Sequence, residues 1–326
     1  MISVSHLRKT YKTSTKQEGA AGLLRNIFAR TYKEIEAVKE ISFEIEQGEL
    51  VGFVGPNGAG KTTTMKMLAG ILFPTSGEIN VLGHTPFEKS HDYLRQISFI
   101  MGQKNQMLWE LPAVDTFRLN KTIYGVSDAE YKKTLGELVE MLDAQEIIDQ
   151  PIKTLSLGQR MKAELISTLI HKPKVLFLDE PTIGLDVVAQ KNIRDFIQQY
   201  QSFYKATILL TSHYMEDVRR LANRVIIIDH GALLYDGDIE KLVKKYAKTK
   251  SIEIVVDDMP NTADLEKIGS VESIEFPKIR FRATRKDVPE LIAKISKTIG
   301  FIDITVEEEK IEDIIRTIFE KSSVKV

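Results

Sequence analysis

Gly55-Pro56-Asn57-Gly58-Ala59-Gly60-Lys61-Thr62 has the spacing of a loop built to hold phosphate. Glycines let a backbone wrap closely and aim amide N–H groups at phosphate oxygens, and the positive end of a following helix adds to the attraction. Lys61 would bridge the β- and γ-phosphates of a nucleotide, and the Thr62 hydroxyl would ligate Mg²⁺. Asp179-Glu180, closing the apolar run Val175-Leu176-Phe177-Leu178, supplies the second half of that chemistry. Asp179 would hold Mg²⁺ through water, and Glu180 would polarise the attacking water as general base. By itself such a carboxylate pair is a solvated strand end or a helix cap; downstream of a phosphate loop the chemical reading is preferred. Between the two lies Leu155-Ser156-Leu157-Gly158-Gln159, leading into Arg160-Met161-Lys162-Ala163-Glu164-Leu165. A serine hydroxyl, a glycine amide and a helix N-terminus make a second anion site. An ordinary N-cap is the plainer reading of the same residues, and their position between the two nucleotide motifs argues against it.

These groups need rigid elements to carry them. Leu50–Val54, Val175–Leu178, Thr207–Leu210 and Val225–Ile228 are apolar without alternation, the pattern of strands buried on both faces. Helical patterns lie between them, so the expected fold class is α/β, a mainly parallel sheet covered by helices with ligand loops at the strands' carboxyl ends. The phosphate loop follows the first of these runs and precedes the helical Thr63-Thr64-Met65-Lys66-Met67-Leu68, the context its motif requires. From about 103 to 154 no strand run occurs, and Tyr131, Leu135, Leu138, Val139 and Leu142 share a helical face. An inserted helical subdomain is expected there, about 104–170.

The order of these three motifs resembles the ATPase subunits of ATP-binding-cassette transporters, over roughly the first three-quarters of the chain. Glycine at position 184 in Pro181-Thr182-Ile183-Gly184-Leu185-Asp186, with an appended C-terminal module, resembles the drug and multidrug exporter type. The resemblance implies that Gly55, Pro56, Asn57, Gly58, Ala59, Gly60, Lys61, Thr62 and Thr63 bind ATP in a P-loop ATPase fold spanning about 1–240. It implies that Ser156, Gly158 and Gln159 belong to a signature loop that faces the phosphate loop of a second subunit, in a homodimer or heterodimer. In the family pattern Leu157 is glycine, and a β-carbon is disfavoured at positive φ. Gln103 matches a glutamine that senses Mg²⁺ and water and connects to the membrane partner. Asp186 matches a loop linking the two sites, and His213 a histidine that contacts the γ-phosphate. An adenine-stacking aromatic is implied as well: position after the first strand picks Tyr11, whereas counting back from Ala37 without gaps picks Tyr32. An extra segment, about 12–36, creates that conflict. In it Leu24, Ile27, Phe28 and Ile35 share a helical face opposite Arg25, Arg30, Lys33 and Glu34, expected as a surface helix of its own domain, with a membrane-surface contact as the alternative.

Composition narrows the rest. Forty-five Lys+Arg against 46 Asp+Glu disfavour a general nucleic-acid binder. Absence of cysteine excludes disulfides and thiolate chemistry. No run reaches the length of a membrane span, and no signal-peptide pattern opens the chain. The expectation is a cytoplasmic ATPase, peripheral on the inner face of the cell membrane, using ATP and Mg²⁺ to drive permease subunits in separate chains. Polysaccharide export is a rival within transport, and a cassette acting on ribosomes or DNA a rival outside it. After Gly237-Asp238 comes a basic helical stretch at 241–248, expected as a solvated face. Strands at 251–256, 271–276, 278–282 and 301–306 and helices at 263–268, 287–299 and 311–319 follow. That order fits a ferredoxin-like module over 241–326.

Overall fold

A computed structural model of the chain describes residues 1–14, 32–102, 106–212, 214–247, 249–261, 265, 267–308 and 311–323. It divides into two units, Met1–Gly237 and Asp238–Val326. Along the chain run β1 (Ile2–Ser14), β2 (Tyr32–Ile45), β3 (Leu50–Val54), α1 (Lys61–Leu68), β4 (Ser76–Val81), α2 (His91–Leu94), β5 (Ile97–Met101), α3 (Ala113–Tyr124), α4 (Asp128–Met141) and α5 (Leu157–Leu169). Then come β6 (Val175–Asp179), α6 (Val187–Tyr204), β7 (Thr207–Thr211), α7 (Met215–Leu221), β8 (Arg224–Asp229) and β9 (Ala232–Asp238).

Among the described residues a six-stranded sheet has the order β5-β6-β7-β3-β8-β9. The pairs β5/β6, β6/β7, β7/β3 and β3/β8 are all parallel. Every residue of β3, β6 and β7 is buried, which is why these strands read as unbroken apolar runs. A second sheet, β2-β1-β4, is antiparallel; on β2 Ile41, Phe43 and Ile45 alternate, and Val38 joins them across a register shift, all four facing the core that also holds Phe53 and Met65. Parallel strands ending side by side bring the loops after β3, β6 and β7 to one edge of the sheet. Between β5 and β6 lie α3, α4 and α5, with Leu138, Val139 and Leu142 buried.

The extra segment corrects an expectation. Residues 12–14 continue β1 and residues 32–36 open β2, with Tyr11 opposite Ile35 and Ser14 opposite Tyr32. Ile35, Lys33 and Glu34 therefore belong to a hairpin, not to an amphipathic helix. Their short stretch satisfies both periods, and the backbone partner that decides between them is distant in sequence. Leu24, Ile27 and Phe28 lie outside the described residues.

In the second unit α8 (Ile239–Tyr246) precedes β10 (Thr249–Val255), β11 (Ser270–Glu275), β12 (Lys278–Thr284), α9 (Val288–Thr298), β13 (Asp303–Glu308) and α10 (Ile311–Ser323). Asp238 caps α8 through its carboxylate, and Ile239 and Leu242 are buried. The sheet order is β11-β12-β10-β13 with every neighbour antiparallel. That is the strand order of a split β-α-β module, and Ile252, Ile254, Ile279 and Phe281 pack with Leu291 and Ile295 of α9. The expected helix at 263–268 lies partly outside the described residues.

Candidate active site

The loop after β3 is shaped by close backbone approaches. A β-carbon on Gly55 would stand 2.2 Å from the Ile228 carbonyl oxygen, and Gly60, at φ +104°, would place one 2.5 Å from the Ala37 carbonyl oxygen. No other residue fits either position. Asn57 and Gly58 are exposed at the loop's tip, whereas Ala59 is buried and Pro56 and Thr63 are half-buried. Lys61 is the first residue of α1 and is 5% exposed. Its Nζ donates to the carbonyls of Gly55 (2.6 Å) and Pro56 (3.1 Å), which sets the ammonium inside the curl of the loop. Burial pushes the Lys61 ammonium below the ordinary lysine range, against the pull of the Glu180 and Asp179 carboxylates. A buried cation ringed by amides and carbonyls suits an anion that arrives with several oxygens.

The carboxylates of β6 meet this loop. Thr62 Oγ1 donates to Asp179 Oδ2 at 2.7 Å, and Thr211 Oγ1 donates to Asp179 Oδ1 at 2.7 Å. Glu180 follows at φ +57° and is 9% exposed. Its amide donates to the carbonyl (3.2 Å) and hydroxyl (3.0 Å) of Thr211. Lys61, Thr62, Asp179 and Glu180 thus come together, although about 120 residues separate the two halves of the cluster. Thr211 is a member that sequence reasoning missed. Its signal was available only through sheet register, since it stands directly opposite Asp179 on β7.

The loop expected to form a second anion site lies outside this cluster. Ser156 Oγ accepts from the Gln159 amide (3.3 Å) while the Ser156 amide donates to Gln159 Oε1 (2.9 Å), a reciprocal capping box at the start of α5. The plainer reading, an N-cap, is therefore realised. It uses the serine oxygen as acceptor, so its hydroxyl proton stays available to an anion. Leu157 begins α5 and is absent from the residues with positive φ, so its β-carbon is no obstacle. A β-carbon on Gly158 would lie 3.0 Å from Ala189 Cβ, which brings the loop against the start of α6. Asp186 caps α6, its Oδ1 accepting from the Ala189 amide at 2.8 Å. None of these bonds reaches the Lys61 cluster. Tyr11 lies on β1, 38% exposed, with Lys9 Nζ 5.3 Å from its ring centroid. Gln103 and His213 lie outside the described residues.

Comparison with known proteins adds a lineage to this geometry. The ABC transporter ATP-binding protein NatA of Bacillus subtilis (strain 168) is 34% identical over 210 residues, 64% of this chain and 85% of NatA. The chain belongs to the ATP-binding-cassette (ABC) transporter family. The family model for ABC transporters matches residues 38–183. The bacitracin transport ATP-binding protein BcrA of Bacillus licheniformis is 32% identical over 219 residues, 67% of this chain and 70% of BcrA. The linearmycin resistance ATP-binding protein LnrL of Bacillus subtilis (strain 168) is 32% identical over 245 residues, 75% of this chain and 78% of LnrL. A solved ATP-binding subunit of an ABC transporter shares the fold at TM-score 0.62 and 24% identity, covering 75% of this chain and 92% of that one. A dimeric bacterial ABC transporter cassette does so at TM-score 0.60 and 21% identity, covering 73% of this chain and 99% of the other. The chain is thus an ABC ATPase with the P-loop ATPase fold, and ATP is its substrate. Among its described residues no helix is long and apolar enough to cross a membrane.

Proposed function

We propose that this ABC ATPase is the motor of an exporter, closing with a second cassette around two ATP molecules to drive permease subunits encoded separately. The observation that carries the reading is the separation of the two anion loops. Lys61, Thr62, Asp179 and Glu180 gather in one cluster, while Ser156 hydrogen-bonds only within its own cap. Beside Ser156, Leu157 is 44% exposed, and Val187 and Val188, next to Asp186, are 78% and 69% exposed. Exposed aliphatic side chains beside an anion loop suit an interface with another cassette. Relatives named for bacitracin transport and linearmycin resistance support the exporter assignment.

Roles follow from the positions. Amide N–H groups of the 57–63 loop and the ammonium of Lys61 would hold the phosphates, and Glu180 would take the proton of the attacking water. Mg²⁺ fits the donors present. Thr62 Oγ1 and Asp179 Oδ2 are hard oxygens 2.7 Å apart, and no group of three His, Cys, Asp or Glu gathers among the described residues. A site with so few protein ligands suits an ion that keeps its waters and shares phosphate oxygens. Held by Thr62 and Asp179, Mg²⁺ would supply positive charge to offset that of the nucleotide phosphates. Gln103 and His213 complete the family's set by position in the sequence.

Tyr11 is the better adenine platform of the two tyrosines. Tyr32 is paired with Ser14, three residue pairs farther out along the hairpin than Tyr11, about 10 Å at the usual strand rise. Stacking on an aromatic ring contributes roughly 1–2 kcal/mol, so Tyr11→Ala should weaken ATP binding about tenfold. Tyr32→Ala should barely change it, and Tyr11→Trp should be tolerated. Nucleotide titration of the alanine variants decides, and the opposite ranking would move the platform to Tyr32.

A groove of about 400 Å³ lined by Ile71, Leu94, Phe99, Met101, Ile123 and Tyr124 offers the permease an apolar seat beside α3 and β5. The exporter reading is tested by purifying the tagged chain from detergent-solubilised membranes. A multi-span membrane protein should co-purify in fixed proportion, place the chain at the inner face of the membrane and stimulate its ATPase. Ile123→Asp should release that protein while leaving basal ATPase near wild type. Retention by ribosomes or DNA in place of a membrane protein would reject transport.

A further inference from the structure

Asp217, on α7, is 1% exposed and takes no part in the cluster described above. The hydrogen-bond partners of its carboxylate come from three other segments. Arg194 Nη1 of α6 donates to Oδ1 at 2.5 Å. Thr182 Oγ1, in the loop after β6, donates to Oδ2 at 2.5 Å, and Ser212 Oγ, just after β7, donates to the same oxygen at 3.0 Å. Arg194, Thr182 and Ser212 are buried as well, at 8%, 2% and 3% exposure. Charge-assisted bonds inside a low-dielectric interior are strong and hold their geometry. The carboxylate is therefore a fixed point to which two loops and the helix α6 are tied.

Each tie bears on a nucleotide-facing segment. Thr182 stands two residues beyond Glu180, and its carbonyl accepts from the Leu185 amide (3.3 Å) in the turn leading to Asp186. Ser212 Oγ accepts from the Tyr214 amide at 3.0 Å, spanning the position of His213. Arg194 belongs to the helix that Asp186 caps. Glu180 itself has φ +57°, a left-handed conformation that a side-chain-bearing residue keeps only where its surroundings over-determine it. Thr211 holds its amide on one side. On the other side its carbonyl accepts from the Ile183 amide (3.2 Å), and the first side-chain hydrogen bond is that of Thr182 to Asp217.

We propose that Asp217 is a positioning residue for hydrolysis: through Thr182 it clamps the far side of the Glu180 turn, and through Ser212 and Arg194 it keeps that turn aligned with the loop after β7 and with α6. The proposal rests on the assignment of Glu180 as general base. It makes the placement of Glu180 depend on α6, the helix whose first turn carries the exposed Val187 and Val188, so that an interface there can adjust the base.

The test uses Thr182→Val, which keeps the shape of the side chain and leaves Asp217 bonded to Arg194 and Ser212. In the full chain kcat should fall at least about tenfold, as for a catalytic group displaced by a fraction of an ångström. ATP affinity should stay within about twofold, because the phosphate loop is untouched. Thr182→Ser, which returns the hydroxyl, should restore turnover, and a melting curve confirms that each variant is folded. In the Glu180→Gln background Thr182→Val should cost nothing further, since two residues acting through one group are not additive. Wild-type kcat in folded Thr182→Val, or no rescue by serine, overturns the proposal while an inactive Glu180→Gln leaves the base assignment standing. Full turnover in Glu180→Gln overturns the base assignment and the proposal with it.

Discussion

Glu180→Gln should reduce ATP turnover by two to four orders of magnitude, about what removal of a general base costs, and leave ATP binding intact. The amide has the size of the carboxylate, and the backbone of residue 180 keeps both bonds to Thr211. What it loses is the capacity to take a proton from water. The corresponding rise in barrier is roughly 3–5 kcal/mol. Lys61 stays on its loop carbonyls, and Thr62 stays on Asp179, so the groups that would hold the nucleotide are unchanged. Closure of two cassettes would then no longer end in hydrolysis, and an ATP-bound dimer should accumulate. Phosphate release and size exclusion with ATP measure the two consequences together. Turnover within a few-fold of wild type would remove Glu180 from the role and point to another base.

Much of this site was legible because its strands are buried on both faces. Leu50–Val54, Val175–Leu178 and Thr207–Leu210 are buried at every position and almost wholly apolar, and chemistry-bearing residues follow them at once. Where one face is solvated and the segment short, the same reasoning failed. Ile35 among Lys33, Glu34 and Glu36 satisfies a helical and an alternating pattern equally, and only its pairing with Tyr11 decides. Leu157 looked like a backbone problem because the family has glycine there; the helix simply begins at that residue, with negative φ. The tie from Asp217 to Arg194 and Thr182 was invisible, since it depends on how α6 and α7 pack and not on any spacing in the chain. Glu164 is a similar case. On α5 it reads as a polar position, yet it is 5% exposed, and burial pushes its carboxyl up to about 8. Periodicity finds the faces of elements, while side-chain partners across elements need the packed structure.

Ser156→Arg should leave ATP binding by the isolated monomer nearly intact and abolish ATP-dependent dimerisation. Ser156 bonds only within the first turn of α5, so its replacement does not disturb Lys61, Thr62 or Asp179. Loss of the serine cap costs about 1 kcal/mol of helix stability, too little to unfold a cassette whose α5 buries Met161, Leu165, Ile166 and Leu169. The long arginine stem, by contrast, would occupy the space through which the partner's phosphates approach the serine hydroxyl and the Gly158 amide. Ser156→Ala separates the two effects, removing the cap oxygen without adding bulk, and should dimerise far better than Ser156→Arg. Fluorescent-nucleotide titration of the monomer and light scattering with ATP, in the Glu180→Gln background that favours the closed dimer, give both quantities. Loss of ATP binding by the Ser156→Arg monomer would place this loop in the same subunit's site, and the shared-nucleotide arrangement would have to be abandoned. Dimerisation equal to wild type would be as damaging, because a loop that tolerates arginine cannot be in contact with a partner's phosphates.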